Sequence, residues 1–143
     1  INPETITTPE MQQRIADMIE TMYVADGVGL AAVQVGISQQ LCVIARDYTP
    51  DKKKDLCLIN PVWLKLSDKK NWDEEGCLSV PGVFGKVQRF SRIQVRAYNE
   101  RGKRIEFEAK DFFARIIQHE CDHLNGTLFV EKAKDLRRPT LEL

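Results

Sequence analysis

The sequence has no excess of either charge. Its 21 Lys and Arg balance 21 Asp and Glu over 143 residues, so nothing in the composition is suited to neutralising a nucleic-acid backbone. It has no apolar run near the ~18 residues of a membrane-spanning helix; the longest, such as Leu41 to Ala45, are strand-sized. No charged segment followed by an apolar one opens the chain, so no secretory signal is read and a cytoplasmic protein is expected. Eight Gly and six Pro are too few for a collagen-like or low-complexity chain. Four Cys are too few for a disulfide scaffold. Against these absences, 43% hydrophobic and 29% charged residues describe one ordinary soluble domain over 1–143.

Pattern changes organise the chain. Thr8 before Pro9 is a helix N-cap with proline in the first turn, and Met11, Ile15, Met18, Ile19 and Met22 follow at helical spacing, predicting a helix from Pro9 to about Ala25. Gln40 to Arg46 reads as a buried strand, and Leu56 to Asn60, Val62 to Leu66 and the stretch near Trp72 as further short strands. Cys42 and Cys57 lie in apolar runs and are expected in the core. Arg92 to Tyr98 and Arg104 to Ala109 alternate apolar with polar around a turn at Asn99 to Lys103, a hairpin. A second helix is predicted from Asp111 to Leu124, with Phe112, Phe113, Ile116, Ile117 and Leu124 facing the core and Gly126 just past its end. Helix, antiparallel strands, helix is an α+β order.

The two histidines of the chain stand on that second helix as His119-Glu120-Cys121-Asp122-His123. Spacing of i and i+4 puts both imidazoles on one helix face, where they can hold one metal ion with Glu120 beside them as a base for a bound water. By average usage, a chain of this length contains H-E-x-x-H by accident at about one per cent or less. A catalytic metal still needs a third protein ligand. No later helix offers a glutamate, and the position where a third histidine would follow in one protease pattern is Phe129. The ligand is therefore sought upstream, and Cys77 in Glu74-Glu75-Gly76-Cys77-Leu78-Ser79 is the best candidate. Cys121, two residues from His119, points away from the ligand face.

The chain resembles the peptide deformylases. It carries in order the three motifs of that family: Gly27-Val28-Gly29-Leu30-Ala31-Ala32-Val33-Gln34, Glu75-Gly76-Cys77-Leu78-Ser79 and Gln118-His119-Glu120-Cys121-Asp122-His123. The likeness runs from the first helix to about Phe129. It implies an α+β fold with antiparallel strands packed around a central metal-binding helix that carries the H-E-x-x-H, an N-terminal helix, and a single catalytic domain. Measured against the family, the stretch before the first helix is expected to lack the N-terminal strand segment, and the tail after Phe129 the long C-terminal helix with which some members dock on the ribosome.

The implied activity is hydrolysis of the formyl group from N-formylmethionine on nascent polypeptides, releasing formate, with the ribosome as a neighbour and neither nucleic acid nor membrane as a partner. By resemblance Cys77, His119 and His123 hold the metal, Glu120 takes the proton of the attacking water, and Gln34 with the Leu78 N–H stabilises the oxyanion. Gly27, Val28, Gly29 and Gly76 would receive the peptide backbone, and Phe112 and Ile116 would wall the methionine pocket. Glu75 and Arg89 would pair behind the metal cysteine; an exposed Arg on a strand edge is the competing account of Arg89. Softness and geometry of Cys and two His suit zinc, whereas the resemblance implies Fe2+, replaceable by Zn2+, Ni2+ or Co2+. A metal-dependent peptidase and a non-catalytic metal-binding domain are the alternatives.

Overall fold

The computed structural model describes residues 1–77 and 80–137. Thr8 caps the first helix as its position predicts: its hydroxyl accepts from the Met11 N–H at 3.3 Å, and α1 runs Pro9–Val24. Met11, Ile15, Met18 and Met22 recur along its buried face. Strands β1 (Gly29–Ala31), β2 (Leu41–Ile44), β3 (Leu56–Lys65), β4 (Lys70–Cys77), β5 (Val80–Phe90), β6 (Arg92–Tyr98) and β7 (Arg104–Lys110) follow, then helix α2 (Asp111–Leu124) and strand β8 (Lys134–Arg137). Among the described residues they form two sheets, ordered β1-β2-β3-β6-β7 and β4-β5-β8, with every pairing antiparallel. No helix among the described residues is long and apolar enough to cross a membrane.

The strand period of two explains where the core sits. Leu41 and Val43 pack with the α1 methionines, while Cys42 and Ile44 pack with Ile116, Ile117, Cys121 and Leu124 of α2. β2 is thus covered on both faces, which is why its sequence is an unbroken apolar run rather than an alternation. Leu58 of β3 joins the α2 side, and Cys57 and Ile59 join the α1 side. Cys42 and Cys57 are both core residues, 0% and 2% exposed.

Two expectations need correction, and one strand went unread. The segments 56–60 and 62–66 are one strand, because Asn60 adopts a left-handed φ of 52° and the register shifts between Ile59 and Val62, so Pro61 is absorbed in a bulge. Segment 80–90 is a strand with no alternating apolar signal; its inward residues are Gly85, Val87 and Arg89, and only Val87 carries an apolar side chain of any size. Phe112 does not face the core. It sits in the first turn of α2, 45% exposed, against Tyr48 with ring centroids 5.8 Å apart, while Phe113 turns inward onto Phe107.

Ile117 is fully buried on the face of α2 turned to the five-stranded sheet. Ile117→Ala is expected to lower stability by roughly 2–5 kcal/mol in urea titration. Metal content of the folded protein should stay as in the wild type, because the residue lies on the core face.

Candidate metal centre and the carboxylate behind it

Two elements bring the candidate ligands together. Helix α2 is fixed beside β5 by Gln118, whose Oε1 accepts from the Phe90 N–H at 3.0 Å and whose Nε2 donates to the Phe90 carbonyl at 2.8 Å. That clasp turns His119 and His123, one helical turn apart, toward the end of β4. Their Nε2 atoms are 3.1 Å apart, and the His123 Nε2 lies 3.0 Å from Cys77 Sγ. The three donor atoms fall within 4.8 Å of one another. Cys121 lies in the core among the α2-side residues, and burial pushes its thiol up to about 12, so it stays neutral and away from the cluster.

Behind the imidazole stands Glu75. It is 7% exposed and accepts four charge-assisted hydrogen bonds, two on each oxygen. Oε1 receives the Arg89 guanidinium at 2.9 Å and His119 Nδ1 at 2.8 Å; Oε2 receives Arg89 Nε at 3.0 Å and Arg115 at 2.6 Å. A carboxylate on Nδ1 fixes the tautomer, leaving the Nε2 lone pair for a metal. Burial opposes the charge on Glu75, but the bonds from His119 and Arg89 prevail and hold its carboxyl down at about 2. Arg89 is 4% exposed and also pairs with Asp122, which Lys132 reaches at 3.0 Å, so the surface reading of Arg89 is overturned.

Glu120 has the opposite surroundings. Burial pushes its carboxyl up to about 7 against the pull of His119 and His123, and its Oε2 is buried without a hydrogen-bond partner among the described residues. The β1 backbone passes so close that a Cβ on Gly29 would stand 3.2 Å from Glu120 Cγ, Cδ and Oε2. Gln34, on the 3-10 turn Ala32–Val35, accepts from the Ala31 N–H at 2.8 Å and donates from Nε2 to Cys77 Sγ at 3.3 Å. Phe129 stacks on the His119 ring with centroids 6.0 Å apart.

These groups meet at a cavity of about 540 Å3, lined by Gly27, Val28, Gly29, Gly76, Phe112 and Ile116 among others. Leu78, expected to supply an oxyanion donor, lies outside the described residues. Sequence reasoning missed Phe84, whose ring takes the space a Cβ on its cross-strand partner Gly76 would need, at 2.8 Å. It also missed Arg115, although a lone arginine between Ala114 and Ile116 on a buried helix face was a signal to follow.

A soft thiol, two imidazoles with an oriented tautomer and a buried carboxylate lacking a partner, gathered at one cavity, are the equipment of a metal-dependent hydrolase. The sequence profile of the polypeptide deformylases matches residues 2–139. The peptide deformylase of Bartonella henselae is 46% identical over 128 residues, 90% of this chain and 73% of that protein. The crystal structure of peptide deformylase from Thermotoga maritima superposes with a TM-score of 0.81 at 42% identity, covering 87% of this chain and 82% of that one. A class I type b peptide deformylase from Acinetobacter baumannii, solved with Met-Ala-Ser bound, gives 0.83 at 36% identity over 92% and 86% of the two chains. The chain belongs to the polypeptide deformylase family, metalloenzymes that hydrolyse the N-formyl group from nascent peptides.

The depressed carboxyl of Glu75 has a consequence for the metal-free protein. Because its folded value, about 2, lies below the ordinary 4.5, its contribution to stability is complete above about pH 4.5 and is lost as pH falls toward 2. Urea midpoints of the metal-free chain should decline across that window, and Glu75→Gln should flatten the decline. An equal slope in the Gln variant would assign acid loss to other carboxylates.

Proposed function

We propose that this chain removes the formyl group from N-formylmethionyl peptides with Cys77, His119 and His123 holding Fe2+ at the H-E-x-x-H helix, or Zn2+, Ni2+ or Co2+ in its place. The donor set fits such an ion: one soft thiolate and two neutral imidazoles suit a divalent transition metal, and Glu75 on His119 Nδ1 supplies the partner that metal-bound histidines require. When bound, the ion supplies Lewis acidity, lowering the pKa of a water and polarising the formyl carbonyl.

The observation that carries the reading is Glu120 Oε2, a buried carboxylate oxygen beside the ligand cluster with no hydrogen-bond partner among the described residues. A group left in that state is unfavourable unless it has a task. Glu120 takes a proton from the attacking water and delivers it to the departing amine, and a carboxyl poised at about 7 can do both near neutral pH. Gln34, with its Oε1 held by the Ala31 N–H, keeps its Nε2 donors on the ligand side, where they meet the developing oxyanion.

The sheet order supports an extended substrate. β1 is the edge strand of one sheet and β4 the edge strand of the other, and both border the cavity. A peptide backbone can add to such edges at Val28, Gly29 and Gly76 and be read through its main chain. Phe112 and Ile116, one turn apart, offer the methionine side chain an apolar wall. The Met-Ala-Ser bound by the Acinetobacter relative is what removal of formyl from formyl-Met-Ala-Ser leaves.

The test is formate release from formyl-Met-Ala-Ser by anaerobic, iron-loaded protein. Glu120→Gln should keep its metal while kcat falls about a hundred- to ten-thousand-fold; a wild-type rate would remove Glu120 from the chemistry. Acetyl-Met-Ala-Ser should react poorly, because the added methyl pushes the carbonyl out of line with its attacking water. Cleavage of internal peptide bonds at comparable rates would replace this reading with a peptidase.

A further inference from the structure

Arg115 stands one helical turn before His119, on the same face of α2. Its side chain is 3% exposed, and its guanidinium meets acceptors on two strands. One nitrogen donates to Glu75 Oε2 at 2.6 Å and to the Val87 carbonyl at 2.8 Å. The other donates to the Asn71 carbonyl at 3.0 Å and to the Asn71 side-chain oxygen. Only a planar fork of fixed donors can satisfy acceptors so spread; a lysine ammonium on the same stem cannot. Arg115 also lines the cavity.

We propose that Arg115 is a positioning residue for the metal centre, setting the register of helix α2 against strand β4. The geometry is a grip at two points. Arg115 takes Oε2 of Glu75 and His119, four residues on, takes Oε1, so one carboxylate is held by two successive turns of the helix. Two residues beyond Glu75 on β4 is Cys77, and one turn beyond His119 is His123, 3.0 Å from the Cys77 sulfur. Arg89 reaches both oxygens from β5. Arg115 approaches from the ligand-bearing helix itself and is tied also to Val87 and Asn71, so it joins α2 to both strands at one carboxylate. The proposal rests on reading Cys77, His119 and His123 as the ligands.

The test compares wild type, Arg115→Met, Arg115→Lys and Asn71→Ala, each loaded with Co2+. Metal loss to a chelator is followed well below each Tm, with the cobalt–thiolate absorption band and kcat and KM on formyl-Met-Ala-Ser. Arg115→Met keeps the stem and loses the fork. It should release metal about 10- to 100-fold more readily and perturb the band, with KM unchanged within about two-fold. Arg115→Lys should recover part of the retention. Asn71→Ala removes one acceptor and leaves the charge, so it should give a smaller effect in the same direction; it decides the matter should Arg115→Met fail to fold. Wild-type metal retention and band with only a lower Tm, in Arg115→Met or in both milder variants, would make Arg115 a stabiliser of the fold alone and overturn the proposal. Absence of a thiolate band in the wild type would instead overturn the ligand reading, together with what is built on it.

Discussion

The arrangement of the site depends on one buried carboxylate. Glu75 is nearly inaccessible to water, and an isolated charge there would be disfavoured by several kcal/mol. Four donors from β5 and α2 fill its four acceptor positions. The ion cluster therefore does what apolar contacts between the second sheet and α2 do not: it fixes direction. Removing one partner would leave the others charged, buried and under-satisfied, the situation in which a buried pair is strongly destabilising to break.

The same site holds a second buried carboxylate whose surroundings drive it the other way. Glu120 Oε1 is 3.9 Å from His119 Nε2, and Glu75 Oε1 is 2.8 Å from His119 Nδ1, so one imidazole separates them. Glu75 is saturated with donors and sits at about 2; Glu120 is desolvated, with one oxygen lacking a partner among the described residues, and sits at about 7. Pairs of carboxylates pushed apart by environment divide labour, one staying charged and one free to carry a proton. Here the division follows from position. Glu75 faces two guanidinium groups, whereas Glu120 faces the glycine backbone of β1, which approaches it closely.

Both helices were legible because each carries a signal in register with its packing: Thr8 and Pro9 with the methionine stripe of α1, and the apolar stripe of α2 ended by Gly126, whose φ of 83° suits glycine. The 92–110 hairpin was legible because the inner residues Ile93, Val95 and Ala97 alternate with polar ones. β5 was hidden because its interior is built from Gly85 and Arg89, and neither reads as core. Arg115 was hidden for the same reason. An arginine inside a fold is indistinguishable from a surface arginine until its carboxylate is located, and Glu75 lies 40 residues away. The metal motif escaped this problem because its partners share one helix and a fixed spacing.

A site that receives an extended backbone must leave strand edges open, and open edges invite aggregation. The two edges bordering the cavity answer that conflict differently. β1 has three residues, Gly29–Ala31, too few to template another sheet. β4 has eight, but exposes Lys70, Asp73 and Glu74 along its length and ends at the register shift between Gly76 and Cys77. Charge and a bulge both discourage continued pairing. The other edge of that sheet is β8, which packs so near Gly85 that a Cβ there would stand 2.7 Å from Leu136. The cavity beside the ligand cluster thus lies between one edge strand that is short and one that is charged. Under the proposed function, the edges that a peptide backbone joins are the same ones that short length on β1, and charge with a register shift on β4, protect against self-association.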